Sequence, residues 1–497
     1  MMKKLLCVLL AALMLVCTFA SCATGPDNDE TGTTAGSNSA VTEGETDEML
    51  EIPDTRYDDQ ELCFLTRDEG LWSTAEIFAE SQTAESDNIN NAVFERNDRI
   101  YQNYGVIINE LKKETQTHNT TVSNEVSAPT GDFQAIITNT VNSSSYASSG
   151  YLWNLYSDAI EYLDVTKSWW DVRMAEGMSI DGKLYYATGD LLTADNDATF
   201  IIFFNKDIAT DIQIPDLYSL VANKQWTMDK FFEYEQTATQ DKNGDGKIIY
   251  DTDICGFAYT VDSPHCMLFA GGVTMCTKDE DDIPVYELDI ELAQNIVDMG
   301  KQIFSKDYTV DLLNTGDGAD IVTAGQKAFG ENHALFFGEV MQCVTRLRGY
   351  EANFGLLPYP KYSEQQSNYY SMMHLTASMV SIPKSVNAEK VVMVNSMIEA
   401  MAYHSVDTLT EQFYEINLKT RDAKDEQSGP MIDMILANRA CDLAYYYSWG
   451  SNAFGQMAAC LLPSSTSGGV SAQNKKYKAS IERNIEQLLR AMSRHED

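Results

Sequence analysis

The sequence predicts an α/β fold with a largely parallel sheet. Two patterns carry that reading. Short apolar runs bounded by turn residues alternate with stretches of helical spacing, and the alternation recurs in the middle of the chain. Length is the third indication. With the first 54 of 497 residues set aside, the remainder is long enough for two or three domains.

Taken in order, "ELCFLTR" reads as the first strand. Asp87 to Tyr104 then places Ile89, Ala92, Val93, Ile100 and Tyr104 on helical spacing and stops at Gly105, a residue suited to the position after a helix. "GVIINEL" and "FQAIITNT" follow as strands. In the middle, "ATFIIFFNKD" is a continuous apolar strand, and "WTMDKFFEYEQTAT" is a helix with Thr227 as its N-cap. "ICGFAYT" is a further strand, and "GGVTMCTKDEDDIPVYEL" reads as a hairpin around an acidic turn. Leu292, Ile296, Met299 and Ile303 form a core-facing helical stripe. "HALFFGE", "NFGLLPYP" and "HLTASMVSIPK" then return as strands. Beyond Pro383 the pattern is mostly helical, and Ile481, Ile485, Leu488, Leu489 and Met492 line one face of the last helix.

The amino terminus points to export. Lys3 and Lys4 precede an uncharged apolar run from Leu5 to Ala20, too short and wrongly flanked for a permanent membrane span. Phe19-Ala20-Ser21-Cys22 resembles a bacterial lipobox, with Phe19 where leucine is usual. This predicts a signal over residues 1–21 and lipid on Cys22. Residues 22–54 are rich in Gly, Thr, Ser, Asp and Glu and read as a disordered tether, with an end-to-end reach of about 30 Å.

Charge and composition exclude several functions. With 74 acidic and 35 basic residues the formal net charge is −39, which disfavours nucleic acid and anionic lipid as partners. After Cys22 there are seven scattered cysteines, Cys63, Cys255, Cys266, Cys276, Cys343, Cys441 and Cys460. They lack CxxC spacing, so buried thiols are expected, with Cys266–Cys276 as the one pairing to consider. There is no His-Glu-x-x-His and no Gly-x-Ser-x-Gly. Gly177 to Lys183 mimics a phosphate loop, but Leu184 stands where the Ser/Thr magnesium ligand is required.

"DKNGDGKIIYDTD" looks like a calcium loop. Asp241, Asn243 and Asp245 occupy positions 1, 3 and 5, Gly246 position 6, and Lys247 offers its carbonyl at 7. Position 12 is Thr252, so Asp253 is the expected last ligand in a loop longer by one residue. A shorter acid and a shifted register predict a structural Ca2+ bound weakly, with Kd of about 10⁻⁴–10⁻³ M. A sensor would need paired loops, and only one copy is present.

Several stretches resemble, in order, the extracellular solute-binding family of ABC importers that includes the maltose-binding proteins. They are "NNAVFERNDRIYQNYGV", "GKLYYATGD", "FFNKDI", "KQWTMDKFFEYEQTATQDKNGDGK", "CGFAYT", "ALFFGEV", "NFGLLPYPK", "MVSIPKS" and "LAYYYSWGS". The resemblance implies a two-lobed, periplasmic-binding-protein-like (type II) fold, each lobe a mixed sheet flanked by helices, hinged around a ligand cleft. Lobe 1 would hold residues 55–203 and 370–416, and lobe 2 residues 204–369 and 417–497. Chain crossings are expected at "TFIIFFNKD", near Pro358–Tyr369 and near Asn417–Gln427. The expected activity is binding, not catalysis, by a monomer lipid-anchored on the extracytoplasmic face of the cell membrane. It would deliver a small polar solute, with carbohydrate the leading class, to permease subunits.

Aromatic faces cover the apolar side of sugars while amides and carboxylates orient hydroxyls. The candidates are Arg67 and Trp72 at the rim after the first strand, then Asn139, Asn142 and Tyr146 after "FQAIIT". His265 resembles an aromatic ligand contact of that family. Glu339 stands where the family often has Trp, and Tyr447 and Trp449 complete the set. Two alternatives stay open: a surface hydrolase using paired carboxylates, and a calcium-stabilised surface adhesin.

Overall fold

The computed structural model describes residues 48–68, 76–80, 88–316, 318–418 and 427–495. The signal, Cys22, most of the tether and Trp72 lie outside these residues. Eleven short strands occur in the described chain. The first three are β1 Gln60–Arg67, β2 Val106–Lys113 and β3 Ala135–Asn139. Then come β4 Phe200–Asn205, β5 Cys255–Tyr259, β6 Cys276–Lys278 and β7 Pro284–Tyr286. The last four are β8 Thr309–Asp311, β9 Ala334–Val340, β10 Phe354–Leu357 and β11 Ser378–Ser381.

They form two mixed sheets and a hairpin. The first sheet runs β11-β3-β1-β2, with β1 parallel to β2 and β3 and with β11 antiparallel to β3. The second runs β10-β4-β9-β5-β8, with β5 parallel to β8 and β9 and with β4 antiparallel to β9. Each sheet thus contains a parallel trio bordered by an antiparallel strand, and in the second sheet β10 adds antiparallel to β4 at the far edge. In each case the bordering strand enters just after a passage from the other sheet. The antiparallel β6–β7 pair is the hairpin read from the sequence.

Local chemistry explains the boundaries. Helix Asn88–Tyr104 ends because Gly105 takes φ +66°, a left-handed turn in which its N–H still reaches the Tyr101 carbonyl at 2.9 Å. Helix Met228–Ala238 begins at Thr227, whose hydroxyl accepts from the Lys230 N–H at 3.5 Å. Strand β4 is apolar throughout because both its faces are covered. Phe200, Ile202 and Phe204 enter the larger core, while Ile201 and Phe203 enter a second core behind the sheet. Phe203 there meets Phe329, Phe337 and Phe354 at ring-centre distances of 5.7–6.0 Å.

Three segments lie side by side between the sheets. Thr199 pairs with Met373 in an antiparallel bridge, and Ser371 pairs in parallel with Arg439. The change of sheet therefore comes at Thr199–Phe200, not after Phe203, since β4 pairs with β9 from Phe200 onward. Helix Ala388–Ser405 packs on helix Asn88–Tyr104 beside the first sheet, whereas helix Ser428–Ala437 packs on β10 of the second. Residues 419–426, where the third crossing is expected, are outside the described residues.

Other departures from the sequence reading have physical causes. Glu48–Asp54 was expected within the tether, but Leu50 and Ile52 pack on the core and Glu48 accepts from the Ser168 N–H at 2.9 Å. A helix over Thr115–Ser127, absent from the sequence reading, separates β2 from β3. The seven cysteines are free thiols, five of them buried. Among the described residues no helix is long and apolar enough to cross a membrane.

Candidate functional site

The carboxyl ends of the parallel strands in both sheets reach the paired segments between them. At the end of β1, Arg67 donates to the Thr376 carbonyl and to Ser378 Oγ, both at 3.1 Å. Just past β3, Thr140 Oγ1 donates to the Leu375 carbonyl at 2.6 Å. From the other side, the N–H groups of Met341 and Gln342 after β9 donate to the carbonyls of Thr199 and Asp197, at 2.9 and 3.1 Å. Past β5, Asp262 Oδ2 lies 3.9 Å from His374 Nε2. Ligands of open α/β sheets bind outside such strand ends, so this junction is the candidate site.

Its polar groups are Asp197, Asp262, His265, Glu339, Arg346 and His374. All six retain partial solvent exposure. Their surroundings are nonetheless crowded. Burial pushes the Glu339 carboxyl up to about 7, with Asp262 adding to the effect and Arg346 opposing it. Burial, then Glu76 and Asp195, push Asp197 up to about 8, again against Arg346. Both His265 and His374 are lowered by burial, partly offset by Asp262. The His265 imidazole stacks on Phe454, with ring centres 6.2 Å apart, and lies 6.3 Å from Tyr445.

A second aromatic group adjoins the helix after β3. Tyr186 Oη lies 2.8 Å from Ser144 Oγ, its ring is 6.1 Å from Tyr447, and Tyr447 is 6.3 Å from Trp449. The short helix Leu443–Tyr446 joins the two groups. It is capped by Asp442, which accepts from the N–H groups of Ala444 and Met275. Trp449 is half-buried, and its indole N–H has no partner among the described residues.

The structure divides the sequence-predicted residues. His265 and Glu339 lie at the junction, with Trp449 on the neighbouring aromatic group. Arg67 was expected at the rim but is 5% exposed and clamps β1 to β11. Asn139 is used as the N-cap of helix Thr140–Ser148, accepting from the Asn142 N–H, while the Asn142 amide donates to Thr138 Oγ1 at 3.3 Å. Tyr146, expected in the cleft, is one helical turn further on and faces the core. It is 3% exposed, and its hydroxyl bonds Asn119 Oδ1 at 2.5 Å. Tyr447 is likewise buried. Asp197, Asp262, Arg346 and His374 were missed. Only Asp262, three residues before His265, had a local signal.

A groove of about 780 Å³ lies elsewhere, between the outer strand β2 and helix Thr115–Ser127. It reaches none of the junction residues.

At the loop Asp241–Asp253, the Asp241 carboxylate accepts from the N–H groups of Gly244 and Gly246 at 2.6 and 2.8 Å. Asn243 and Asp245 each accept from the amide two residues on. This turn geometry fits the first part of a calcium loop. Asp253 fits less well, because its oxygens accept from the N–H groups of Lys242 and Ile249. Among the described residues no three acidic, histidine or cysteine side chains are gathered as a metal-binding group.

No protein-family model matches the sequence, and no curated protein matches it either. Solved structures match the fold. An ABC substrate-binding protein of Listeria monocytogenes, in complex with cycloalternan, is 12% identical with a TM-score of 0.54, covering 86% of this chain and 100% of that one. An open conformation of a sugar transporter of Rhizobium etli is 11% identical with a TM-score of 0.57, covering 85% and 99%. UgpB of Mycobacterium tuberculosis, in complex with glycerophosphocholine, is 14% identical with a TM-score of 0.55, covering 79% and 95%. The chain has the two-lobed α/β fold of ABC-importer solute-binding proteins.

Proposed function

We propose that this chain is the solute-capturing component of an ABC importer, closing two lobes around a sugar or polyol and passing it unaltered to permease subunits. One observation carries the reading. Strand ends from both sheets meet on shared crossing segments and bring carboxylates, imidazoles, a guanidinium and aromatic rings to one junction. The fold supports binding, and the proteins that share it are described with cycloalternan and glycerophosphocholine as ligands. A lipid on Cys22 would hold the protein at the outer membrane face, as its Ala-Ser-Cys setting suggests.

The test is a thermal-shift screen of sugars and polyols with recovery of each hit by mass. A ligand present at 100 times its Kd stabilises by about 2.7 kcal/mol and returns intact. Hydrolysed product would turn the reading to a hydrolase. Retention only on insoluble polymer would turn it to an adhesin.

The proposal includes a weak structural calcium at Asp241, Asn243, Asp245 and the Lys247 carbonyl, supported by the 1-3-5 spacing and by Gly246 at φ +78°. At 10 mM, calcium should stabilise by about 1.4–2.7 kcal/mol for a Kd of about 10⁻³–10⁻⁴ M. Asp241→Ala should erase the gain. An unchanged Tm in the parent protein removes the metal from the account.

A further inference from the structure

We infer that the solute carries an oxyanion, a carboxylate or a phosphate ester, held by Arg67 and the first turn of helix Thr140–Ser148, so that its class is an acidic sugar or polyol in preference to a neutral or basic one. The inference rests on the receptor reading and adds the solute's charge to it. Arg67 is 5% exposed, and both its hydrogen bonds come from Nη2, to the Thr376 carbonyl and to Ser378 Oγ at 3.1 Å. Its Nε–H is buried and has no partner among the described residues. Buried guanidinium groups are normally paired with an acid. Arg67 has no ion pair among the described residues, and only burial acts on its charge. The adjacent acid, Asp68, belongs to the β2 side, where its N–H meets the Lys113 carbonyl at 2.9 Å and its charge acts on Glu110. His118 feels the uncompensated cation, since burial and then Arg67 push its imidazole down to about 4.

The strand register sets this cation at a helix N-terminus. β3 lies between β1 and β11, so Arg67 crosses the end of β3 to reach Ser378. Ser378 is the register partner of Asn139, which ends β3 and caps helix Thr140–Ser148. Continuing the β1–β3 register from Leu65 beside Ile136 brings Arg67 level with Thr138, so both side chains leave the same face. On that face the Asn142 amide, from the first turn of the helix, donates to Thr138 Oγ1 at 3.3 Å.

The N–H groups of Thr140 and Val141 in that turn have no acceptor within the helix, and helix N-termini favour negative charge. Asn139, Asn142 and Thr376 are half-buried, so the place is reached from solvent. It adjoins the junction, because Thr376 Oγ1 lies 2.6 Å from His374 Nδ1. An oxyanion there pairs with the unspent edge of the guanidinium while the rest of the solute extends toward His374.

The experiment uses the full chain and panels matched in skeleton: glucose, glucuronic acid, glucose 6-phosphate and glucosamine, with glycerol, glyceric acid and glycerol 3-phosphate. Thermal shift selects hits, and titration calorimetry measures them. Acidic members should bind at least about 10-fold tighter than their neutral counterparts. The carboxylate and phosphate arms tell which oxyanion is taken. Arg67→Met, with the fold checked by circular dichroism, should remove that preference. If Arg67→Met does not fold, Arg67→Lys keeps the charge but not the guanidinium fork and should reduce the preference by at least about 3-fold. Equal or tighter binding of neutral or basic members to the parent protein overturns this inference and leaves the receptor reading standing. A preference that survives the folded variant unchanged overturns it in the same way. Silence from the whole panel also overturns it, while a hit from a wider neutral library would still uphold the receptor.

Discussion

Replacing Arg439 by methionine should lower the unfolding free energy by about 3–5 kcal/mol, read from urea denaturation, because it strands buried carboxylates. Arg439 is 6% exposed. Its Nη1 meets Asp195 Oδ2 and its Nη2 meets Asp171 Oδ2, both at 2.8 Å. Its backbone pairs with Ser371, so the side chain ties the inter-sheet segment to the acids flanking residues 172–194. Burial opposes the guanidinium's charge, but the two acids outweigh it and hold the group above its ordinary value. Without that cation, Asp171 and Asp195 face each other in an apolar setting, with Asp190 nearby and itself pushed up to about 7 by burial. Adding Asp195→Asn to Arg439→Met should recover part of the loss, since one buried charge fewer is left uncompensated. A loss under about 1 kcal/mol would mean the triad is solvated and the burial argument is wrong.

The second large effect is on pH. Stability should fall as pH rises from about 5 to 8, the reverse of ordinary acid denaturation. Burial holds the carboxyls of Glu76 and Glu399 at about 7, and it also raises Glu235, whose two oxygens have no partner among the described residues, well above its ordinary value. An acid whose folded value is raised contributes fully below its unfolded value near 4.5. That contribution is lost as pH climbs toward the folded value, because the unfolded chain ionises first. A carboxyl held at about 7 therefore costs about 3 kcal/mol above that pH. Glu399 is the clearest case, with its oxygens accepting from the indole N–H groups of Trp169 and Trp170 at 2.9 and 2.8 Å. At the acid end the histidines set the limit. His118, lowered to about 4 by burial, loses stability below about pH 6.5 as the unfolded imidazole gains its proton. Tm should therefore peak near pH 5–6, and Glu235→Gln should flatten the alkaline limb. A Tm that climbs steadily to pH 8 would contradict these environments.

Much of the fold was legible because burial on two faces leaves its mark in sequence. The run "FIIFF" has no polar residue because β4 has a core on each side, and Gly105 marks the end of its helix through its left-handed turn. Helix Thr115–Ser127 was hidden because its inward positions are His118, Val122 and Glu125, only one of them apolar, within a Thr/Asn/Ser run that favours turns. The short β8 offered too few residues for any period.

The site was less legible, since its members meet only after folding. Glu339 and His265 were picked out through the family resemblance of their segments, Glu339 within the strand "ALFFGEV". Asp197 and His374 sit on the crossing segments, and their approach depends on the Thr199–Met373 bridge, which no local pattern announces. Tyr146 illustrates the converse error. Once Asn139 caps its helix, the phase of that helix turns Tyr146 toward His118 and the core. Neither that helix nor its rotation about the sheet was read from the sequence.

Small-angle X-ray scattering of the full chain, with and without a saturating hit from the solute screen, tests lobe closure most directly. Closure predicts a smaller radius of gyration and a shorter maximum dimension that return to their starting values when the solute is dialysed away. Saturation seen by calorimetry with an unchanged scattering profile would contradict closure of two lobes around the solute.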